Sequence, residues 1–228
     1  MANAERFDSL AKDGSAARVS LFDDLKVMSI GLVFEHQARD AGFRFIAGID
    51  EVGRGCLAGP VVAGACILDL EKPLPKGLND SKKLTATTRD EIAAQLKVDC
   101  IAFAVGQVEA DEIDGINILE ATKKAMLIAI DGLMPAADFL LIDALQLKRS
   151  DLQQKAIIKG DTISASIAAA SILAKTYRDD LMRTYDIEYP QYGFAGHKGY
   201  GAASHFEAIR THGACMLHRK SFRGVLPI

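Results

Sequence analysis

Apolar and polar positions follow two different periods along this chain. Residues 45–50 (FIAGID) and 60–68 (PVVAGACIL) are short apolar runs flanked by glycine-rich turns, the pattern of strands buried on both faces. Residues 100–108 are rich in β-formers, and residues 139–143 (FLLID) and 156–160 (AIIKG) are further short strand candidates. The period changes to 3.6 in between. Thr88 and Glu91 have capping-box spacing and predict a helix running to about Lys97. Asn117 is suited to cap a second helix, with Glu120 three residues on and Leu119, Thr122, Met126, Ala129 and Leu133 on one stripe. A third helix is expected over residues 166–183, with Ile167, Ala170, Ala174, Tyr177 and Leu181 on one face and Ser171, Lys175 and Arg178 beside it. A last helix is expected over residues 202–211, and residues 21–28 and 30–41 also fit helices, without recognisable chemistry. Strands first, then strands alternating with helices, predict an α/β domain with a mixed central sheet flanked by helices.

Composition narrows the class. A chain of 228 residues with 49% hydrophobic and 25% charged residues is neither disordered nor fibrous. Its apolar runs are too short to span a bilayer, and Glu5, Asp8 and Lys12 argue against a secretory leader, so no membrane association is expected. Cys56, Cys66, Cys100 and Cys215 form no CxxC pair, which predicts reduced thiols, a cytoplasmic location and no zinc site. No repeat or linker divides the chain, so one domain over residues 45–228 is expected, preceded by an extension, residues 1–44, and acting as a monomer.

Charge is informative once divided. Between His197 and Gly224, Lys198, Arg210, Arg219, Lys220 and Arg223 face only Glu207, a net +4 against −3 for the whole chain. A basic end on an acidic body suggests an anionic partner held at that end.

The candidate chemistry lies in the acids. Asp50 and Asp143 each end an apolar run, Asp161 follows a third, and Glu51 doubles the first. One strand-terminal acid commonly starts a turn; several beyond the ends of one sheet lie where α/β folds build sites. Crowded carboxylates must share a proton or a cation, and oxygen donors without a Cys or His pair suit Mg²⁺ or Mn²⁺. Gly53-Arg54-Gly55 follows directly, a turn whose backbone a ligand can approach closely, with a forked guanidinium suited to phosphate.

Taken together, residues 47–62 (AGIDEVGRGCLAGPVV), 78–84 (LNDSKKL), 159–161 (KGD), 169–175 (AASILAK) and 189–200 (YPQYGFAGHKGY) resemble the motifs of type 2 ribonuclease H, ribonuclease HII, in the family's order. The resemblance implies a ribonuclease H-like fold with a C-terminal helical appendage over about residues 185–228. It implies an endonuclease that cuts the RNA strand of RNA–DNA hybrids, and cuts 5′ of a single ribonucleotide in duplex DNA, leaving 3′-hydroxyl and 5′-phosphate ends. The family's four metal-binding acids match Asp50, Glu51, Asp143 and Asp161. Asp179 competes for the last place, but it falls late on a helix, where simple solvation explains it. Gly53, Arg54 and Gly55 match the turn that reads the ribose 2′-hydroxyl, and Tyr200 the tyrosine that stacks on the substrate. Asn79, Ser81 and Lys82 match phosphate-gripping positions, and Ser171 and Lys175 are candidates for contacts to the nucleic-acid backbone. His197 and His218 lack a partner at metal-ligand spacing and receive no catalytic role. Ala144, Ala168 and Cys56 depart from residues common in the family without removing a presumed ligand.

Two rivals accompany this reading. A binding module of the same fold without cleavage would gain nothing from acids that repel phosphate. The related type 3 enzyme carries an N-terminal platform domain, at odds with the short extension and the intact Gly53-Arg54-Gly55 turn.

Overall fold

A computed structural model describes residues 29–148 and 152–226, so the helix expected over residues 21–28 lies outside the described residues. The apolar runs become strands β1 (Ile46–Val52), β2 (Val61–Ile67), β3 (Ala102–Val108), β4 (Phe139–Asp143) and β5 (Gln153–Ile157). They form one mixed sheet in the order β3-β2-β1-β4-β5. The first three strands are an antiparallel meander, β4 runs parallel to β1, and β5 parallel to β4. The helices are α1 (Val33–Asp40), α2 (Ala86–Asp99), α3 (Ala110–Ile116), α4 (Ile118–Asp131), α5 (Ala165–Glu188), α6 (Phe194–His197) and α7 (Ala203–His212).

Strand alternation divides the core into two layers. Ala47 and Ile49 of β1 and Leu140 and Ile142 of β4 pack with Ala125, Met126 and Ala129 of α4. The intervening Ile46, Phe139 and Leu141 pack with Ile167 of α5 and Ala38 of α1. A period of two therefore carries Asp50 and Asp143 to the α5 side. Helix α5 can lie this close because β1 and β2 lack side chains where it crosses. A Cβ on Gly48 would stand 2.0 Å from the Ser166 carbonyl carbon, and one on Gly64 2.3 Å from the Ala170 oxygen.

Several expected elements are shifted. Helix α2 starts before Thr88: Thr85 is the N-cap, and its hydroxyl accepts the Thr88 N–H at 3.2 Å. Asn117 caps α4 as expected, accepting from the N–H groups of Leu119 and Glu120, although Leu119 itself is largely exposed. Strand β5 begins at Gln153 and ends at Ile157, because it is a polar edge strand whose side chains are mostly outside the core. Helix α5 has no single apolar face: residues 164–174 are buried all round, wedged between the sheet and α2. Short α3 was not anticipated.

The C-terminal segment is stitched to the sheet beside β1. The N–H groups of Leu57 and Ala58 both donate to the Gly199 carbonyl, Gly59 N–H donates to the Leu217 carbonyl, and Arg219 N–H donates to the Leu57 carbonyl. Asp114 of α3 accepts from the backbone N–H groups of Lys220 and Ser221. Among the described residues no helix is long and apolar enough to cross a membrane.

Candidate active site

Ile49 of β1 pairs with Ile142 of β4 in parallel register, so one step further Asp50 and Asp143 are neighbours at the carboxyl ends of adjacent strands. Asp50 is only 4% exposed. Burial, then the charges of Glu51 and Asp143, hold its carboxyl well above the usual carboxylate range, with a hydrogen bond from Ser171 in partial opposition. Burial also raises Asp143, and the Asp161 charge adds to it, although the Asp143 Oδ1 accepts the Gly160 N–H at 2.7 Å. Glu51 is raised by burial as well, against Arg54, whose Nη1 lies 3.2 Å from the Glu51 Oε1. The other oxygen of Glu51, Oε2, is buried without a hydrogen-bond partner.

Asp161 reaches the same place by another route. Lys159, in left-handed conformation, ends the approach from β5 and starts a single 3₁₀ turn, Gly160–Thr162, that carries Asp161. Its Oδ2 lies 3.3 Å from the Lys82 Nζ. Burial pulls the Lys82 ammonium down, but attraction to Asp161, and then to Asp50 and Asp80, outweighs it and leaves the group raised.

Among the described residues, no three His, Cys, Asp or Glu side chains converge as a finished ion cage. The acids instead form one neighbourhood of mutually repelling oxygens, with an orphaned buried acceptor on Glu51 and the Lys82 ammonium drawn to its edge. Hard, anionic oxygens left short of positive charge fit Mg²⁺ or Mn²⁺ in donor chemistry. A prediction arises here. In EDTA at neutral pH, Asp50→Asn is expected to stabilise the protein by about 1 kcal/mol, or roughly 2–4 °C in Tm for a domain of this size. The sign follows from raised folded-state values: the ion-free fold is favoured at acid pH, below the unfolded carboxylate value, and loses that advantage as pH rises through the folded value. Thermal melts in EDTA across pH check it; a lower Tm for Asp50→Asn at neutral pH would show that the charge cluster is not the cost assigned to it.

Asp179, the competitor for the fourth acid, is neither solvated nor close to this group in its contacts. It is buried, with Oδ1 2.6 Å from the Lys175 Nζ and Oδ2 3.3 Å from an Arg89 nitrogen. Arg89 in turn donates to the carbonyls of Ser81 and Leu84 and so holds the 79–84 loop onto α5. Three of the residues expected to contact nucleic acid have partners inside the protein in this arrangement. Ser171 is buried and its hydroxyl is 2.9 Å from that of Ser81, also buried, so the two bond to each other, and Ser171 also bonds to Asp50. Lys175 is turned onto Asp179. Asn79 and Lys82 are exposed, with the Lys82 ammonium over Asp161 at the edge of the acids.

The Gly53–Gly55 turn is clamped from beneath by two fully buried arginines that sequence reading passed over. Arg178 of α5 donates to the carbonyls of Pro60, Lys198 and Ala58 at 2.8–3.0 Å. Arg219 donates to the carbonyl of Gly59 through two nitrogens and to that of Arg54 at 2.9 Å. The basic C-terminal segment is therefore less available to a partner than its charge implied, since Arg219, His205 and His218 are interior. Tyr200 stands beside this turn with its ring 6.0 Å from the Arg178 guanidinium and 42% exposed. Burial of its hydroxyl end, with the Cys56 thiol next to it, pushes the phenol up to about 12.

Comparison with known proteins agrees with this geometry. The ribonuclease HII family model matches residues 47–225. Ribonuclease HII of Desulfitobacterium hafniense is 57% identical over 184 residues, covering 81% of this chain and 70% of its own. Ribonuclease HII of Chlamydia caviae is 56% identical over 191 residues, covering 83% of this chain and 89% of its own. Among solved structures, the ribonuclease HII of Archaeoglobus fulgidus, determined as a complex with PCNA, superposes with a TM-score of 0.67 at 25% identity, over 79% of this chain and 96% of that one. Because the family model takes in all five strands save Ile46, the four acids, the glycine turn and the appendage that carries Tyr200, the chain belongs to the ribonuclease HII family and is an endoribonuclease of the ribonuclease H type.

Proposed function

We propose that the protein hydrolyses the RNA strand of RNA–DNA hybrids and cuts 5′ of a single ribonucleotide in duplex DNA, leaving 3′-hydroxyl and 5′-phosphate ends. The observation that carries this is the pairing of Asp50 and Asp143 at the ends of adjacent parallel strands, beside a Glu51 oxygen that is buried without a partner. Asp50, Glu51, Asp143 and Asp161 would hold divalent cations, Mg²⁺ or Mn²⁺. When bound, such a pair activates water and neutralises charge on the leaving oxygen. The protein's own contribution is to hold the acids short of positive charge until ions and substrate arrive together. Arg54, Asn79 and Lys82, on the two loops flanking the acids, are exposed donors for phosphates, which makes binding salt-sensitive. Four free cysteines fit a cytoplasmic enzyme, acting as a monomer.

Selection for the ribose falls to the glycine turn. Gly53 is required by the protein: its φ is +88°, and a Cβ would stand 2.3 Å from the Arg178 Nε. Gly55 is different, since it is exposed and nothing of the chain lies within 4 Å of where its Cβ would be. What a methyl group there would exclude is a ligand against the backbone, and the 2′-hydroxyl is the group that marks a lone ribonucleotide. Gly55→Ala is expected to keep its stability within about 0.5 kcal/mol. It should lose roughly 100-fold in cleavage at a single ribonucleotide, the cost of displacing a reacting centre by about 1 Å. Melting curves and initial rates on one defined duplex check both halves; unchanged cleavage would remove Gly55 from the substrate site.

The direct test is a labelled DNA duplex with one ribonucleotide, incubated with Mg²⁺, with Mn²⁺ and with EDTA, and the product ends mapped. Cleavage 5′ of the ribose, only with added ions, is expected. Cleavage in EDTA, or an uncut duplex beside cleaved long hybrids, would overturn the reading.

A further inference from the structure

Four of the chain's five histidines lie in the C-terminal appendage, and three of them touch one another in its interior. The His197 ring stacks on that of His205, with centroids 4.2 Å apart and planes 15° from parallel. His205 and His218 are fully buried, with their Nε2 atoms 3.1 Å apart. Two imidazoles meeting through the same ring atom can bond only if one donates and the other accepts, so the remaining contacts decide the protons.

Those contacts leave one solution. The His205 Nδ1 lies 2.9 Å from the Tyr200 carbonyl oxygen, which can only accept, so this nitrogen carries the hydrogen. Its Nε2 is then a bare lone pair and must accept from the Nε2–H of His218. The Nδ1 of His218 is in turn bare, and it accepts the Cys215 backbone N–H at 3.0 Å. His197 obeys the same logic: its Nε2–H donates to the Tyr192 carbonyl at 2.8 Å, and its Nδ1 accepts the Gly199 N–H at 3.1 Å. Every ring nitrogen of the three has a partner. Adding a proton to His205 or His218 breaks a bond that nothing in the interior replaces.

The chain of bonds ends on one residue. Cys215 N–H, His218 and His205 point in sequence at the carbonyl of Tyr200, whose own N–H donates to the His197 carbonyl. The preceding Gly199 carbonyl is taken by the N–H groups of Leu57 and Ala58, just beyond the glycine turn. The backbone on either side of Tyr200 is thus tied to the histidines below and to the substrate turn beside it, while the ring keeps part of its surface exposed.

We infer that His205 and His218 are positioning residues: a relay of fixed tautomers that holds the Tyr200 carbonyl and thereby sets the angle at which its ring meets the nucleic acid beside Gly53–Gly55. The inference rests on the reading of Tyr200 as the substrate-stacking residue. Both histidines are fully buried and act through the Tyr200 backbone rather than on the nucleic acid itself.

Side-chain amides separate this from mere packing. In His205→Asn the amide nitrogen takes the place of Nδ1 and still donates to Tyr200, while the bond to His218 is lost. In His205→Gln the amide oxygen reaches His218, and the bond to Tyr200 is lost. His205→Asn leaves the His218 Nε2–H without an acceptor, whereas in His205→Gln the Tyr200 carbonyl still accepts the Ala202 N–H at 2.8 Å, so a purely structural role predicts the larger effect for His205→Asn. The relay predicts that His205→Gln raises KM for a duplex with one ribonucleotide about 10-fold, the value of one buried hydrogen bond, with kcat changed less than about 2-fold. His205→Asn should stay within about 3-fold of the parent. In a Tyr200→Ala background both substitutions should become silent.

Equal KM increases for the two variants, a larger one for His205→Asn, or increases that persist undiminished in the Tyr200→Ala background, would overturn the relay while leaving the stacking role of Tyr200 intact. A Tyr200→Ala enzyme with unchanged KM would withdraw the stacking role itself and the inference with it. Ring-nitrogen NMR of the unaltered protein supplies a test independent of any variant: His205 should be the Nδ1–H tautomer and His218 the Nε2–H tautomer, and the reverse assignment would overturn the proposal.

Discussion

Asp143→Asn is expected to fold, to bind an RNA–DNA hybrid at least as tightly as the parent, and to lose cleavage by at least about 10³-fold. The amide is the same size as the carboxylate, and its oxygen can still accept the Gly160 N–H that Asp143 holds at 2.7 Å. What it removes is one negative charge from a group in which burial and Asp161 already hold Asp143 above its usual range. The loss of repulsion favours both the fold and the approach of phosphate. The loss of an anionic oxygen weakens the hold on a divalent cation, and hydrolysis at a phosphodiester depends on that charge. Gel-shift binding and single-turnover cleavage of one substrate, at matched Mg²⁺, separate the two effects. Cleavage within tenfold of the parent would remove Asp143 from the ion-holding set; failure to bind would show that it serves structure instead.

The largest effect on stability is expected at Arg178. Its guanidinium is fully buried and satisfies the carbonyls of Ala58, Pro60 and Lys198, from two segments distant in sequence that meet beneath the glycine turn. Arg178→Ala leaves those acceptors without donors and opens a cavity under Gly53, a cost of about 3–5 kcal/mol. At 2–4 °C per kcal/mol this is a fall of roughly 10 °C in Tm. Arg178→Lys should recover only part of it, because one ammonium cannot reproduce three nitrogens fanned across a plane. Because the same side chain borders both Gly53 and the Tyr200 ring, cleavage of a single-ribonucleotide duplex should fall more than the melting shift alone accounts for at 25 °C. A melting temperature within 2 °C of the parent, by calorimetry, would show that the clamp is not needed.

Legibility followed physical locality. Strands β1, β2 and β4 and helix α4 were readable because burial on both faces of a sheet, or on one stripe of a helix, imposes a period on neighbouring residues. Asn117 was readable as a cap for the same reason, since its partners lie two and three residues away. Helix α2 was misplaced by three residues because Thr85 and Thr88 are equally good caps in isolation, and only the extended backbone at Thr85 chooses between them. Strand β5 was misread because an edge strand with exposed glutamines lacks the apolar run that marks a central one. At the site, Asp50, Glu51, Asp143 and Asp161 stood out through their positions at strand ends and through motifs. The interior partners of Ser81, Ser171 and Lys175 were not legible, because polarity alone does not say whether a side chain faces water or another polar group inside.

The order of residues by itself determined the family, the strands that carry the acids, and the turn that follows them, because each depends on short-range pattern. Tertiary structure alone decided which charges are interior. Arg178, Arg219, Arg89 and Asp179 read as surface residues in one dimension, yet each is surrounded by backbone carbonyls or an opposite charge brought from far along the chain. A buried ionic group is stable only when distant partners satisfy it. Such partners have no signature at the residue itself, and so only the folded arrangement reveals them.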